Sequence, residues 1–125
     1  MTKLNGHAVL KAQKGGKGFY AEVSVEIQLS AGVGGISIES TPVNADEWRP
    51  AAIIGIRHAW KHLPSRITRG KNATVRVTQI GWQPADTSDI VVVHVAMQSL
   101  FDAFDVTVDS SNAFVEPFDL FVFSK

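Results

Sequence analysis

The 125-residue chain contains no cysteine. Without a thiol it can form no disulfide framework, no thiolate zinc site or iron–sulfur cluster, and no cysteine nucleophile. It also lacks any apolar run approaching the roughly 20 residues that a membrane span needs, and its opening residues turn polar too soon for a signal peptide. These absences predict one cytoplasmic domain, residues 1–125, with no membrane association.

A surplus of charge of either sign is absent too, since 12 Lys and Arg balance 12 Asp and Glu. The charges are nevertheless segregated into basic blocks over 1–21 and 48–85 and acidic blocks over 22–47 and 86–119. Either the basic blocks form one face that meets phosphate, or basic and acidic strands lie side by side and neutralise each other. The balanced total favours the second arrangement, because nucleic-acid binders usually carry a basic surplus.

Alternating apolar and polar residues predict strands, beginning with a β-hairpin. Residues 6–13 form a short strand, and residues 19–29 alternate between an apolar and a polar face. The three glycines of Lys14-Gly15-Gly16-Lys17-Gly18 suit a tight turn between these strands. Further strands are predicted over 36–41 and 73–80.

Apolar residues at helical spacing predict two helices. The first covers 50–63, is preceded by a capping box at Asn44-Ala45-Asp46-Glu47 and ends before Pro64. The second covers 90–104, where several valines favour a strand locally but the length favours a helix. Asp86 and Asp89 are interpreted as charges at the N-terminus of this second helix.

A basic loop over 65–71 and a final strand over 118–123 complete the order β-β-β-α-β-α-β. This order predicts an α+β two-layer sandwich, in which a mixed four-stranded sheet carries two helices on one face.

Motifs for catalysis and metal binding are weak. His58 and His62 have the i, i+4 spacing of metal ligands, but Lys61 stands between them and a role at the helix C-terminus is more common. The glycine loop lacks the Lys-Ser/Thr ending of a phosphate loop, and there is no Gly-x-Ser-x-Gly elbow. We therefore predict a non-enzymatic protein with no catalytic residue, no metal, no cofactor and no bound nucleotide.

Four motifs, in order along the chain, resemble domain IV of translation elongation factor G. They are QKGGKGFY over 13–20; EWRPA over 47–51 with GIRHA over 55–59; VRVT over 75–78 with DTSD over 86–89; and Glu116-Pro117. The resemblance implies the ribosomal protein S5 domain 2-like fold, and it makes residues 90–104 a helix.

In elongation factor G this domain is an elongated tip that enters the ribosomal decoding region, and the resemblance implies that two loops here face RNA. The positions carried over are Lys14, Lys17, Gln83 and Trp82. Phe19 and Tyr20 flank the glycine loop and are predicted, as exposed aromatics, to stack on unpaired bases. For Tyr20 and Trp82 the alternative is packing over the ends of the sheet.

The sequence thus predicts a stand-alone module, without a GTPase domain, that binds ribosomal or structured RNA through the loops 14–20 and 81–86. The alternative is a protein–protein interaction or homo-oligomerising module that keeps the fold without a role in translation. In that case the apolar strand 118–123 would pair with a second copy.

Overall fold

This computed structural model describes residues 2–40 and 42–106, in which three strands are followed by three helical segments, a fourth strand and a last helix. In chain order the elements are β1 (Thr2–Lys14), β2 (Lys17–Ala31), β3 (Ile36–Ser40), a 3-10 helix (Val43–Trp48), α1 (Arg49–His62), α2 (Ser65–Thr68), β4 (Lys71–Gly81) and α3 (Asp89–Ala103). The predicted strand 118–123 and the Glu116-Pro117 motif lie outside the described residues.

The four strands form one mixed sheet in the order β1-β2-β4-β3. β2 is antiparallel to β1 and to β4, whereas β3 is parallel to β4. Gly15 and Gly16, with φ of 60° and 84°, make the two-residue turn between β1 and β2. These are the conformations that this hairpin turn requires, and glycine adopts them without steric cost. The predicted α+β sandwich with a mixed four-stranded sheet is therefore confirmed.

One face of the sheet carries the core, and α1 and α3 cover it. Six apolar residues at alternate positions of β2 are buried: Phe19, Ala21, Val23, Val25, Ile27 and Leu29. α3 packs against β1, β2 and α1, so it is buried over much of its circumference. That burial explains why residues 90–104 are helical in spite of their valines, since tertiary packing outweighs local propensity.

Several predicted boundaries are wrong. β1 begins at Thr2, because residues 2–5 continue the antiparallel pairing with β2 although their sequence does not alternate clearly. The predicted capping box is replaced by the 3-10 helix, and no side chain caps α1, which begins at Arg49. The expected loop over 65–71 contains the single turn α2.

On the face of the sheet opposite α1 and α3, charges neutralise each other across strands. Glu26 on β2 lies between two basic residues. Its Oε2 is 3.2 Å from Nζ of Lys3 on β1, and its Oε1 is 2.5 Å from Nη2 of Arg76 on β4. The hydrogen bond from Lys3 is the largest of the effects that lower the pKa of Glu26. For these residues, the arrangement of basic and acidic strands side by side is confirmed.

The outer edge of β1 is partly covered by α3. The His7 N–H, on the edge strand, donates a hydrogen bond of 3.0 Å to Asp102 Oδ2. This donor is consequently unavailable to another strand at that position.

We expect Gly55→Ala to destabilise the protein, because α1 approaches α3 at this residue. A Cβ on Gly55 would overlap the Val93 carbonyl oxygen and lie 2.9 Å from the Ala96 Cβ. Overpacking of this kind costs about 1–3 kcal/mol, and a backbone contact cannot rotate away. Urea denaturation should show a lower free energy of unfolding, whereas Ile54→Ala, on the exposed face of α1, should change it by less than about 0.5 kcal/mol. An unchanged or raised stability of Gly55→Ala would contradict the close approach.

Candidate functional site

The loops 14–20 and 81–86, which we call the tip, meet at one end of the sheet. Glu22 on β2 lies opposite Gly81, the last residue of β4, so the start of β2 and the end of β4 are neighbours. The Tyr20 N–H donates to the Asp86 carbonyl oxygen at 2.9 Å. The Thr87 hydroxyl donates to the Tyr20 carbonyl oxygen at 2.7 Å and accepts from the Gln83 N–H at 2.9 Å. These hydrogen bonds fix the second loop on the first.

Gly18 allows this close contact. A Cβ at this position would lie 2.7 Å from Asp86 Oδ1, so the carboxyl group of Asp86 rests directly on the glycine. In this role Gly18 differs from Gly15 and Gly16, whose positive φ angles make the turn.

Phe19 is not the exposed aromatic that the sequence analysis expects. Only 6% of its surface is exposed, and its ring belongs to the core. The physical reason is the alternation of β2, in which Phe19 has the same parity as Ala21 and Val23. Its ring instead lies 6.0 Å from the Lys17 ammonium, measured to the ring centroid. So low an exposure disfavours stacking of this ring on a base.

Tyr20 and Trp82 are half-buried. Trp82 packs on the core next to Trp48, with 6.0 Å between the ring centroids, which agrees with packing at the end of the sheet. Tyr20 lies on the opposite face from Phe19, and its hydroxyl donates to Glu22 Oε1 at 3.2 Å. Lys17 and Gln83 are exposed, and Lys14 lies opposite Lys17 at the end of β1. The roles of these residues toward RNA stay predictions.

A pocket of about 460 Å³ opens at the tip. It is lined by Lys11, Ala12, Gln13, Gly18, Phe19, Tyr20, Gln83 and Asp86. The sequence analysis missed Lys11 and Gln13 as members of this site, and it interpreted Asp86, within the second loop, as a helix charge. The register of the hairpin, which places Lys11 opposite Tyr20, is the signal that could have found Lys11.

A hydrogen-bonded network continues from Tyr20 along the face of the sheet opposite α1 and α3. Glu22 accepts from Tyr20, and its Oε2 lies 2.6 Å from His7 Nε2. The hydrogen bond with His7 is the main cause that lowers the pKa of Glu22. Burial, followed by the charge of Glu22, raises the pKa of Tyr20.

The two histidines of α1, His58 and His62, contact each other near the C-terminus of the helix, with 4.3 Å between their ring centroids. His62 Nδ1 lies 2.9 Å from the His58 carbonyl oxygen, to which it donates, and this is the helix C-terminal role predicted for it. Burial lowers the pKa of His58, and the neighbouring His62 and Lys61 lower it further. Within residues 2–40 and 42–106 there is no cluster of three or more His, Asp or Glu side chains that could hold a metal ion. As for membranes, each of the described helices is too short or too polar to span one.

Comparison with known proteins finds a similarity of fold to a solved structure. No protein-family model and no curated protein matches it. A crystal structure of a protein from Thermus thermophilus matches 80% of the chain with a TM-score of 0.61 and 24% identity. The chain spans only 15% of the length of that protein. The match therefore shows a shared fold with one part of a larger molecule.

A second solved structure, mevalonate kinase from methicillin-resistant Staphylococcus aureus, aligns with 89% of this chain and 42% of its own length. Its TM-score is 0.36 and its identity 11%. At that TM-score the likeness supports no inference about function.

We expect Thr87→Val to loosen the tip, because it removes a hydroxyl that bonds to both loops. Loss of such partly buried hydrogen bonds costs about 1–3 kcal/mol. The Gln83 amide should exchange its hydrogen faster in this variant. Thr87→Ser keeps the hydroxyl and is the matched control, with exchange close to that of the wild type. Equal exchange in the two variants would contradict the role of the hydroxyl.

We expect Glu22→Gln to reduce stability in a pH-dependent manner. Since the folded-state pKa of Glu22 lies below its ordinary value of 4.5, its ionised form stabilises the fold above that pH. This stabilisation is lost as the pH falls through the folded-state pKa. Denaturation at several pH values should therefore show a difference between wild type and variant at pH 7 that shrinks below pH 4.5.

His7→Ala removes the largest cause of the shift, so it should shrink the same pH-dependent difference. A difference that stays constant from neutral pH down to about pH 3 would contradict the assignment.

Proposed function

We propose that the chain is a domain of the elongation factor G domain IV type that binds ribosomal or structured RNA through its tip, without catalysing a reaction. The observation that carries this proposal is the hydrogen bonding of Tyr20 with Asp86 and Thr87. It joins, in one continuous surface, the two loops for which the resemblance implies RNA contact.

The charges and rings of the tip suit an RNA strand. Lys17 is exposed beside the turn, and Lys11 lines the tip pocket. Ammonium groups in such positions contact phosphates without reading sequence. The half-buried ring of Tyr20 next to them provides a surface on which a base can stack. With Phe19 in the core, stacking falls to Tyr20 and Trp82.

The motifs behind the resemblance also have physical roles in this fold. Gly55, in the GIRHA motif, is where α1 meets α3, and Gly18, in the glycine loop, is where Asp86 meets β2. Both glycines permit contacts that set the position of the tip. The fold shared with part of the Thermus protein is compatible with the proposal but does not identify the family.

The proposal is tested by binding to purified ribosomes and to a structured ribosomal RNA fragment across a salt series. We expect affinity to fall steeply with salt, and Lys14→Glu/Lys17→Glu to weaken binding. The negative slope of log K against log salt should become shallower by about 1.5 in this variant, since each phosphate that is no longer neutralised accounts for some 0.7–0.9.

Lys61→Glu/Arg66→Glu is the matched control. It reverses two charges near the end of α1, before β4 begins, and should leave binding close to that of the wild type. Absence of binding at low salt would contradict the proposal and favour the protein-interaction alternative. Equal reductions of affinity in the two double variants would show a general effect of charge and would contradict binding at the tip.

A further inference from the structure

The carboxyl group of Asp86 lines the tip pocket without a partner. In the part of the chain that the structure describes, no hydrogen bond or ion pair engages either of its oxygens. The residue is half-buried, and its backbone N–H and carbonyl oxygen are both hydrogen-bonded. Its carbonyl oxygen accepts from the Tyr20 N–H at 2.9 Å, and its N–H donates to the Gln83 carbonyl oxygen at 3.1 Å.

These contacts fix the backbone of Asp86 before any ligand arrives. Gly18 lies directly under it, where a Cβ would come within 2.7–2.9 Å of the carboxylate atoms. A residue whose backbone is already fixed has less conformational entropy to lose on binding. The pocket thus presents the two oxygens of one carboxylate, neither of them engaged within the described residues, to a ligand that has two neighbouring donors.

The other residues of the pocket define the charge of that ligand. Lys11 is one of the lining residues, and the Lys17 ammonium lies 6.0 Å from the ring of Phe19, a further lining residue. Two cations beside the pocket disfavour a cationic ligand, such as an arginine or lysine of a protein partner. They favour a ligand that joins N–H donors to an anionic group.

We propose that this pocket takes the guanine base of an unpaired RNA nucleotide, with Asp86 as the residue that selects it. This inference rests on the proposed function. The Watson–Crick edge of guanine carries two adjacent donors, N1–H and the N2 amino group, which match the two oxygens of a carboxylate. Uracil presents carbonyl oxygens on both sides of its single N–H, and the carboxylate repels them.

The remaining contacts follow from the lining of the pocket. Tyr20 provides the surface for stacking, and Lys11 meets the phosphate. The side-chain amides of Gln13 and Gln83, which are also lining residues, bind the other polar atoms of the base. A volume of about 460 Å³ is within the range of small-molecule sites.

The experiment compares dye-labelled eight-nucleotide RNAs by fluorescence anisotropy. The reference is an oligouridine, and the test strands carry one central G, C or A. The wild type should bind the strand with G roughly 5- to 150-fold more tightly than the oligouridine, the range for one good bidentate contact to a base. Asp86→Asn should reduce this preference to below about 2-fold, with unchanged or tighter binding of the oligouridine because a negative charge is removed.

Asp89→Asn is the matched control, since it removes the same charge at the first residue of α3, outside the pocket lining. It should keep the preference for G. Guanosine monophosphate as a competitor separates the two sources of the base, and we expect it to compete at least about 10-fold more weakly than the strand with G, because it lacks the flanking phosphates.

The outcomes separate the two proposals. Salt-dependent binding of all four strands with equal affinity would overturn the guanine pocket and leave the RNA-binding tip in place. A preference for G that survives Asp86→Asn would overturn the role of Asp86. Competition by guanosine monophosphate as strong as that of the strand would overturn RNA as the source of the base. Absence of binding to every strand, together with absence of ribosome binding at low salt, would overturn both proposals.

Discussion

The two-residue periodicity of β2 is the constraint on which the rest of the structure depends. β2 pairs with β1 on one side and β4 on the other, and it supplies the apolar face on which the helices pack. Each residue from Phe19 to Leu29 is therefore assigned to the core or to the open face by its parity alone. This assignment buries Phe19, although it adjoins a glycine loop that looks exposed in the sequence. The same assignment places Tyr20 at the tip pocket. It also places Glu22 and Glu26 where basic side chains of the neighbouring strands reach them.

Close backbone approach is the second determinant of the tip. Gly18 and Gly55 have no positive φ, so a turn does not explain them. Each instead removes a Cβ where another segment comes near: the carboxyl group of Asp86 at the first and the backbone of α3 at the second. Since α3 follows directly on the loop that carries Asp86 and Thr87, the contact at Gly55 helps to position that loop as well. Packing between the helices and the geometry of the pocket are thereby linked.

The sequence predicts the elements of this fold better than it predicts the site. Alternation in β2 and helical spacing in α1 and α3 are local patterns, and the elements they predict are present. The capping box failed because its residues form a 3-10 turn, in which Ala45 is buried and Trp48 packs against Trp82, a contact that no local pattern reveals. The pocket depends on contacts such as that between Tyr20 and Thr87, which lie 67 positions apart. A lone Asp before a helix is therefore interpreted as a helix charge, and only the fold shows that the side chain of Asp86 lies over Gly18 instead.

A carboxylate among lysines has a physical consequence for an RNA-binding surface. Lys11 and Lys17 attract every phosphate chain alike, whereas Asp86 repels each of them, so the carboxylate lowers affinity for RNA in general. A group that lowers general affinity is useful where it raises affinity for one ligand, because specificity is a difference between two affinities. A nucleobase that donates two hydrogen bonds compensates the free-energy cost of desolvating the Asp86 carboxylate. A nucleobase that offers carbonyl oxygens leaves the half-buried carboxylate facing other negatively polarised oxygens. The absence of a net basic charge is then consistent with the proposed site, in which attraction is modest and discrimination comes from the two oxygens of one carboxylate.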